Sequence, residues 1–278
     1  MKISRGIQYM LFSSLCFALI GWIFRLLAHI PTAEIVFFYS IVALIISFSI
    51  IRYQKIYPWG NCRHLLLLYG ISTGIGITLF FDTLMRLPLA IANVLQNTSP
   101  IFTAILGMYI LRQSVSLRRW LFFILAFLGV FLTYVTNLSS HTKSVYVIII
   151  GLLSALLMGL ANNLNAKMKK SEHPLVIFSY SKICTILLTS FYCLYTFVPL
   201  TAYDGLNLLV LGILIFIAEY LAINAYQQAP VAHVAAISYL GIPYALGIDL
   251  LLGEKFQWIT FVGMGLVILG VLLNLFYK

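Results

Sequence analysis

Charge is what this sequence has least of. Asp, Glu, Lys and Arg together make up only 9% of its 278 residues, and just seven residues are acidic. A typical soluble domain carries about 25% charged residues, whereas 62% of the residues here are hydrophobic. So few charged side chains cannot cover a water-facing surface. The composition therefore excludes an ordinary soluble domain and predicts a membrane protein.

Motifs for catalysis, metal binding and nucleotide binding are missing as well. The four cysteines form no C-x-x-C pair, and the five histidines show no ligand spacing. Neither a G-x-x-x-x-G-K-S/T string nor an H-E-x-x-H string occurs. We therefore expect no metal, no cofactor and no enzymatic activity.

Apolar runs fill most of the chain. A transmembrane helix needs about 20 mostly apolar residues to cross roughly 30 Å of hydrocarbon, and ten such runs stand between charged or turn residues. They predict an all-α membrane protein. The predicted spans, numbered 1 to 10, are residues 6–28, 33–52, 64–85, 88–111, 119–137, 145–166, 174–199, 206–228, 230–252 and 258–277.

The net charge of +10 comes from cations that cluster in alternate connectors. With the N-terminus inside, twelve Lys and Arg residues lie on the cytoplasmic side, four lie on the other side, and Lys182 lies within span 7. This is the positive-inside asymmetry. It predicts a multi-pass protein of a bacterial-type inner (plasma) membrane with both termini cytoplasmic, so the bilayer accounts for the cations and no nucleic acid is needed.

A hydrophilic stretch, NLSSHTKS at residues 137–144, separates five spans from five. We therefore predict a first five-helix repeat at residues 1–137, an extracytoplasmic connector at 138–144 and a second repeat at 145–278. A shift of 142 positions brings the proline that opens span 4, Pro88, onto the proline that opens span 9, Pro230. Because each repeat has an odd number of spans, the second must enter the membrane from the opposite face. Inverted repeats of this kind recur in secondary transporters, with the substrate site near the midplane.

Two ionisable residues lie deep within predicted spans. Glu219 is near the middle of span 8, in FIAEYLAIN, and Lys182 is about a third of the way into span 7, in FSYSKICTI. A charge at membrane depth costs about 2.5 to 3.5 kcal/mol on insertion scales and usually has a function. Glu219 is expected to face a substrate amine or carry a proton, and Lys182 to meet a carboxylate. The alternative is a structural ion pair between them.

Polar residues also mark spans 4 and 9. Asn93, Gln96 and Asn97 share one helical face with Pro100, which favours the wall of a cavity over lipid. Span 9 carries Ser238 and Tyr239 before its own proline, Pro243. Two matching interrupted polar segments in opposite repeats point to a central binding site.

Aromatic and amide residues elsewhere are weaker candidates. Trp22 in span 1 and Tyr39 in span 2 are possible stacking surfaces for the substrate, although aromatic residues near span ends commonly anchor a helix at the membrane interface. The asparagines of span 6, at positions 162, 163 and 165, precede a lysine. We expect them to approach the cytoplasmic surface.

The second half resembles the closing module of the EamA-type family of the drug/metabolite transporter superfamily. The resemblance rests on residues 227–273, which contain Ala229-Pro230, Ser238-Tyr239-Leu240, Gly253-Glu254 and glycines 263, 265 and 270. The first half offers Leu87-Pro88, Thr98-Ser99-Pro100 and Gly129, and the segment IPTAEIVFFYS is similar to the entrance of the family's second helix. Two positions depart from the family pattern: Tyr39 stands where an arginine is common, and Arg112-Gln113 where Gly-Glu usually stands.

The resemblance implies a ten-helix transporter, similar in layout to S-adenosylmethionine transporters and to amino-acid and metabolite exporters. We therefore predict a secondary transporter of a small polar metabolite, an amino acid or an S-adenosylmethionine-like zwitterion or cation, driven by protons or exchange. Spans 3, 4, 8 and 9 would surround the cavity while the two halves rock. A non-conducting structural or assembly protein, and a membrane-embedded enzyme, are the alternatives. The sequence leaves the oligomeric state open.

Overall fold

The chain folds into α-helices throughout the residues that the computed structural model describes, which are 4–86, 89–135, 145–251, 253 and 257–276. Backbone groups in hydrocarbon must bond within their own helix, so apolar runs of this length fold as helices. The helices are α1 (Arg5–Leu26), α2 (Thr32–Tyr53), α3 (Arg63–Arg86), α4 (Leu89–Gln96), α5 (Ser99–Ile110), α6 (Leu117–Val135), α7 (Val145–Lys167), α8 (Pro174–Thr196), α9 (Ala202–Gln228), α10 (Val231–Ser238), α11 (Gly241–Leu251) and α12 (Trp258–Phe276).

Seven helical stretches among these residues are long and apolar enough to cross a membrane, and α12 adds a shorter apolar helix. The predicted connector 138–144 and Pro88 lie outside the described residues. Spans 4 and 9 are each divided, span 4 into α4 and α5 and span 9 into α10 and α11.

The two interruptions fall at equivalent points of the repeats. Asn97 follows α4 and Tyr239 follows α10, and these residues are 142 positions apart, the same shift that aligns the prolines. Pro100 and Pro243 have no backbone N–H to continue the helical ladder. Around both breaks the ladder tightens, with the N–H of Thr98 donating to Leu95 and that of Tyr239 donating to Ala236. Each repeat therefore carries one interrupted membrane span.

The helices pack in the same pattern when the two repeats are exchanged. In this exchange α1 corresponds to α7, α2 to α8, α3 to α9 and α6 to α12. A two-fold axis then maps the packing of α3 on α7 onto that of α9 on α1. The α2–α8 and α6–α12 pairs map onto themselves, and both are closely packed. At the α6–α12 contact, a Cβ atom placed on Gly129 would lie 2.6 Å from the carbonyl oxygen of Gly263. These features describe two inverted five-span repeats.

The packed bundles do not coincide with the sequence halves. A first bundle contains α1, α2, α9, α10 and α11, and a second contains α3, α4, α5, α7 and α8. The bundles meet along α2 and α8, where α7 and α8 pack on α9, and where α5 packs on α10. The inverted repeats interlock, since each contributes helices to both bundles, and the expected rocking of the two halves stays a prediction.

Cations gather on one face of the molecule, which we call the basic face. Gly6 at the start of α1 touches Ala229, the N–H of Val231 donates to Oε1 of Gln113 at 3.3 Å, and Nδ2 of Asn61 donates to the carbonyl of Ser171. These contacts bring the start of α1 together with connectors 54–62, 111–116, 168–173 and 229–230. Ten described Lys and Arg residues lie there, at positions 5, 52, 55, 63, 112, 118, 119, 167, 169 and 170.

The opposite face carries most of the acidic residues. Glu34, Asp82, Asp204 and Asp249 lie near helix ends on this side, whereas Glu172 is the one acidic residue of the basic face among the described residues. The contact of α5 with α10 closes the gap between the bundles at the basic face. At the opposite face α4 packs on α3, α6 and α7, and α11 packs on α1 and α12. Extensive packing between α4 and α11 is absent from the described part of the chain.

Candidate functional site

A buried ion pair lies where the two bundles meet. Nζ of Lys182 in α8 lies 2.5 Å from Oε1 of Glu219 in α9. Lys182 is eight residues after the start of α8 and Glu219 nine residues before the end of α9, so each lies about 12 to 14 Å from the basic-face end of its helix at a rise of about 1.5 Å per residue. That depth is near the middle of a hydrocarbon core about 30 Å thick.

The two partners differ in access to solvent. The side chain of Lys182 is fully buried, whereas 19% of the Glu219 side chain is exposed. The carboxylate is therefore the more accessible charged group of the pair. Because a buried charge needs a partner, each of the two side chains provides the partner of the other.

Aromatic rings enclose the pair. The Lys182 ammonium lies 5.4 Å from the ring centroid of Tyr39 and 5.3 Å from that of Phe178, within the range of cation–π attraction. Tyr39 also makes an edge contact with Phe24 of α1. The structure thus brings together three predicted residues, Lys182, Glu219 and Tyr39. The sequence did not single out Phe178.

The three predicted residues of α4 and its break are half-buried, but two already have hydrogen-bond partners. Nδ2 of Asn97 donates to the carbonyl of Asn93 within the same chain segment. Oε1 of Gln96 lies 3.1 Å from the hydroxyl of Ser154 in α7, which also donates to the carbonyl of Gly76. Gln96 therefore joins α4 to α7, and Ser154 in turn joins α7 to α3.

The predicted residues of span 9 differ from each other. Ser238 is half-buried, and its hydroxyl donates to the carbonyl of Ala235. Tyr239 is fully buried, and its hydroxyl has no hydrogen-bond partner among the described residues. In this state Tyr239 packs with Phe123 and Tyr226 in the apolar core near the basic face.

Trp22 lies on α1 away from the ion pair. It is three residues before Arg25, so it shares a helix face with that arginine, and Arg25 makes a bidentate bridge of 2.9 Å to Asp249 of α11. The Trp22 side chain is exposed. The structure therefore places Trp22 beside the α1–α11 contact rather than with Tyr39 and Lys182.

The asparagines of α7 lie in its last turns, toward the basic face, as expected. Asn163 and Asn165 are buried between helices there and are not exposed at the surface. Nδ2 of Asn163 donates to the carbonyl of Thr103 in α5, and Nδ2 of Asn165 donates to the carbonyl of Ile223 in α9. Since a buried amide needs partners, these side chains pair with carbonyls of neighbouring helices. Asn165 thereby links the second bundle to the first. Its partner, Ile223, lies in the same helix as Glu219 and close to it in sequence.

Two carboxylates that the sequence did not highlight hold the ends of the α2–α8 pair. Glu172, just before α8, accepts hydrogen bonds from the N–H groups of Asn61 and Cys62 in the connector after α2. Glu34, at the start of α2, accepts from the N–H of Val198 in the connector after α8, at 3.1 Å. These contacts are related by the exchange of the repeats. They fix the α2–α8 pair at both faces.

The described residues contain no group of three or more His, Cys, Asp or Glu side chains that could hold a metal ion. What the site offers is one carboxylate, one amine and aromatic surface at membrane depth.

The sequence profile of the EamA-like transporter family matches this chain twice, at residues 4–135 and 145–276. The chain belongs to the EamA-like transporter family. It is a multi-pass membrane protein built from two copies of the family's unit.

Curated relatives of this EamA-like transporter move metabolites in different directions. The pseudopaline exporter of Pseudomonas aeruginosa is 24% identical over 221 residues, which cover 79% of this chain and 77% of that protein. The S-adenosylmethionine uptake transporter of Rickettsia prowazekii is 28% identical over 170 residues, covering 59% of this chain and 56% of that protein. An uncharacterized transporter of Helicobacter pylori is 24% identical over 263 residues, 90% of this chain and 87% of its own.

A solved crystal structure shares the fold. It superimposes on this chain with a TM-score of 0.85, covering 97% of this chain and 96% of the other, at 11% sequence identity. Identity so low shows a common fold and nothing about the solute.

Proposed function

We propose that this EamA-like transporter moves a small polar metabolite with a positive charge, an amino acid or an S-adenosylmethionine-like zwitterion or cation, by alternating access. The observation that carries the proposal is the ion pair of Lys182 and Glu219, whose exposed member is the carboxylate. An intramembrane charge is costly and marks a solute or proton pathway in most transporters. The relatives named for pseudopaline and S-adenosylmethionine support a metabolite as cargo.

A substrate amine would bind by competing with Lys182 for Glu219. The rings of Tyr39 and Phe178 then remain as cation–π partners for the displaced ammonium. A proton on Glu219 would release the pair in the same way, since it removes the negative charge. The same carboxylate therefore serves proton coupling or substrate exchange. Because Lys182 and Glu219 belong to different bundles, breaking their contact loosens the bundle interface when the solute arrives.

Sidedness follows from the charges. Positive residues are retained on the cytoplasmic side of inner-membrane proteins, so we assign the basic face, with the start of α1, to the cytoplasm of a bacterial-type cell. The contact of α5 with α10 then closes the cytoplasmic side, and the solute enters between α4 and α11 from the other side. Closure of α4 on α11 and separation of α5 from α10 would complete the cycle.

A ligand-dependent thermal shift of the purified protein tests the cargo class. Amino acids, nucleosides and S-adenosyl compounds are screened, since a ligand that binds the folded state raises its apparent stability. We expect a shift with a ligand that carries an amine or sulfonium, and its loss in Glu219→Gln. The matched control is Asp82→Asn. Asp82 is a carboxylate near the face opposite the basic face, and it pairs with Arg86 rather than with Lys182. A shift that survives in Glu219→Gln contradicts the assigned site.

Cysteine labelling tests alternating access in a variant that lacks the four native cysteines. We expect a cysteine at position 97 to react from the extracytoplasmic side without substrate, and one at position 239 to be protected. Substrate should reverse the two reactivities. Labelling of both positions from one side under all conditions argues against the mechanism.

A further inference from the structure

A cleft of about 340 Å³ opens on the basic face between the ends of α5, α7 and α9. Its lining combines apolar side chains and Tyr226 with Gln113 and the lysines at positions 167, 169 and 170. The cleft therefore places three ammonium groups beside apolar side chains.

No acidic side chain balances these lysines. None of the three has an ion-pair partner among the described residues, and no Asp or Glu lines the cleft. The nearest acidic residue in sequence, Glu172, is occupied by the N–H groups of Asn61 and Cys62. Three like charges around one opening repel each other, and an anion placed among them would remove that repulsion.

We propose that this cleft binds the phosphate-bearing headgroup of an anionic phospholipid. The cleft lies at the ends of membrane-spanning helices, where headgroups are found. Basic pockets between transmembrane helices on the cytoplasmic side bind such headgroups, and the cytoplasmic leaflet concentrates them. A free phosphate ion shares the chemistry, but it would not cover the apolar side chains of the lining.

The position of the cleft gives the lipid an effect on transport. Gln113 and the lysines belong to the second bundle, whereas Tyr226 and Ala229 belong to the first. Gln113 also accepts the hydrogen bond from Val231 that begins α10, at the closed contact of α5 with α10. A headgroup in the cleft touches both bundles and holds the basic face closed.

The test measures the Tm of the full-length protein in detergent micelles supplemented with phosphatidylglycerol, with phosphatidylcholine, or with inorganic phosphate. The cleft variant is Lys169→Gln/Lys170→Gln, since both lysines are exposed and their loss leaves the core intact. The control variant, Arg63→Gln/Arg118→Gln, removes the same charge from the basic face outside the cleft lining. The Tm of each variant in phosphatidylcholine shows that it is folded.

We expect phosphatidylglycerol to raise the Tm of the unmodified protein and of the control variant, and the cleft variant to lose at least half of that shift. An equal loss in both variants would show unspecific attraction to the basic face and overturn the site. A shift with inorganic phosphate as large as that with phosphatidylglycerol would overturn the lipid and assign a soluble anion. The absence of any shift in the unmodified protein would overturn both.

Discussion

Breaking the buried ion pair should destabilise the protein by an amount that depends on which partner is removed. Glu219→Gln leaves Lys182 charged, fully buried and without its carboxylate. Removal of one partner from a buried pair costs about 3 to 5 kcal/mol. Lys182→Met leaves a carboxylate that is 19% exposed, so water can replace part of the lost hydrogen bond and we expect a smaller loss of about 1 to 3 kcal/mol.

The double variant separates charge burial from packing. Lys182→Met/Glu219→Gln has no buried charge, so it should be more stable than Glu219→Gln alone, because replacing a buried pair by neutral groups is often close to neutral. A loss of 1 kcal/mol lowers the Tm of a domain of this size by about 2 to 4 °C, so Glu219→Gln should unfold about 10 °C below the unmodified protein. Transport should be absent from the double variant even though it is stable.

The assay is thermal unfolding in detergent, followed by the circular dichroism of the helices, on the two single variants and the double variant. We expect Glu219→Gln to have the lowest Tm. The unmodified protein, the double variant and Lys182→Met should all have a higher Tm than Glu219→Gln. Equal destabilisation by the two single substitutions would refute the argument from unequal burial. A double variant as unstable as Glu219→Gln would show that packing around Lys182, and not its isolated charge, causes the loss.

Three further variants test the packing and the loops. Gly129→Ala should separate α6 from α12 and lower the Tm by several degrees, because the added Cβ would lie 2.6 Å from a carbonyl oxygen of α12, whereas Gly265→Ala, with no atom within 4 Å, should leave the Tm unchanged. Gly60→Ala should destabilise the protein more than Gly253→Ala. Both glycines have positive φ, +65° and +86°, but a Cβ at position 60 would also meet a glutamate oxygen at 2.7 Å. Equal losses of stability in the two variants would contradict the steric argument. Nδ1 of His173 caps α8 by accepting an N–H, and burial lowers the pKa of this histidine. The contribution of His173 to stability should therefore be full above about pH 6.5, the ordinary histidine value, and should fall below it, where the unfolded chain takes up the proton more readily. A His173→Asn variant, which caps the helix without titrating, should lose that pH dependence in thermal unfolding.

The sequence predicted the ion pair's members but not their unequal roles. Glu219 and Lys182 stood out because a charge in an apolar run is rare. Their contact, and the deeper burial of Lys182, depend on how α8 crosses α9. Tyr39 joined them through the fold, since nothing in span 2 indicates that its ring would face an ammonium on span 7.

Other parts of the site escaped the sequence for the same reason. Asn163 and Asn165 are close in sequence to Lys167, which suggested a surface position, but both are buried because α7 packs between α5 and α9. Glu34 and Glu172 lie near helix starts, where a carboxylate is ordinary. Only the neighbouring connectors show that each one holds the end of the opposite helix.

The sequence by itself determined the membrane environment, the helical class, the inverted repeats and the places where two spans are interrupted. Those properties come from local composition, from the length of hydrocarbon that a helix must cross and from prolines that lack an N–H. The tertiary structure decided which helices form each bundle, which face is closed, and which charge of the central pair is the more exposed. These depend on contacts between residues far apart in the chain, such as Lys182 with Glu219 and Val231 with Gln113, which no local pattern encodes.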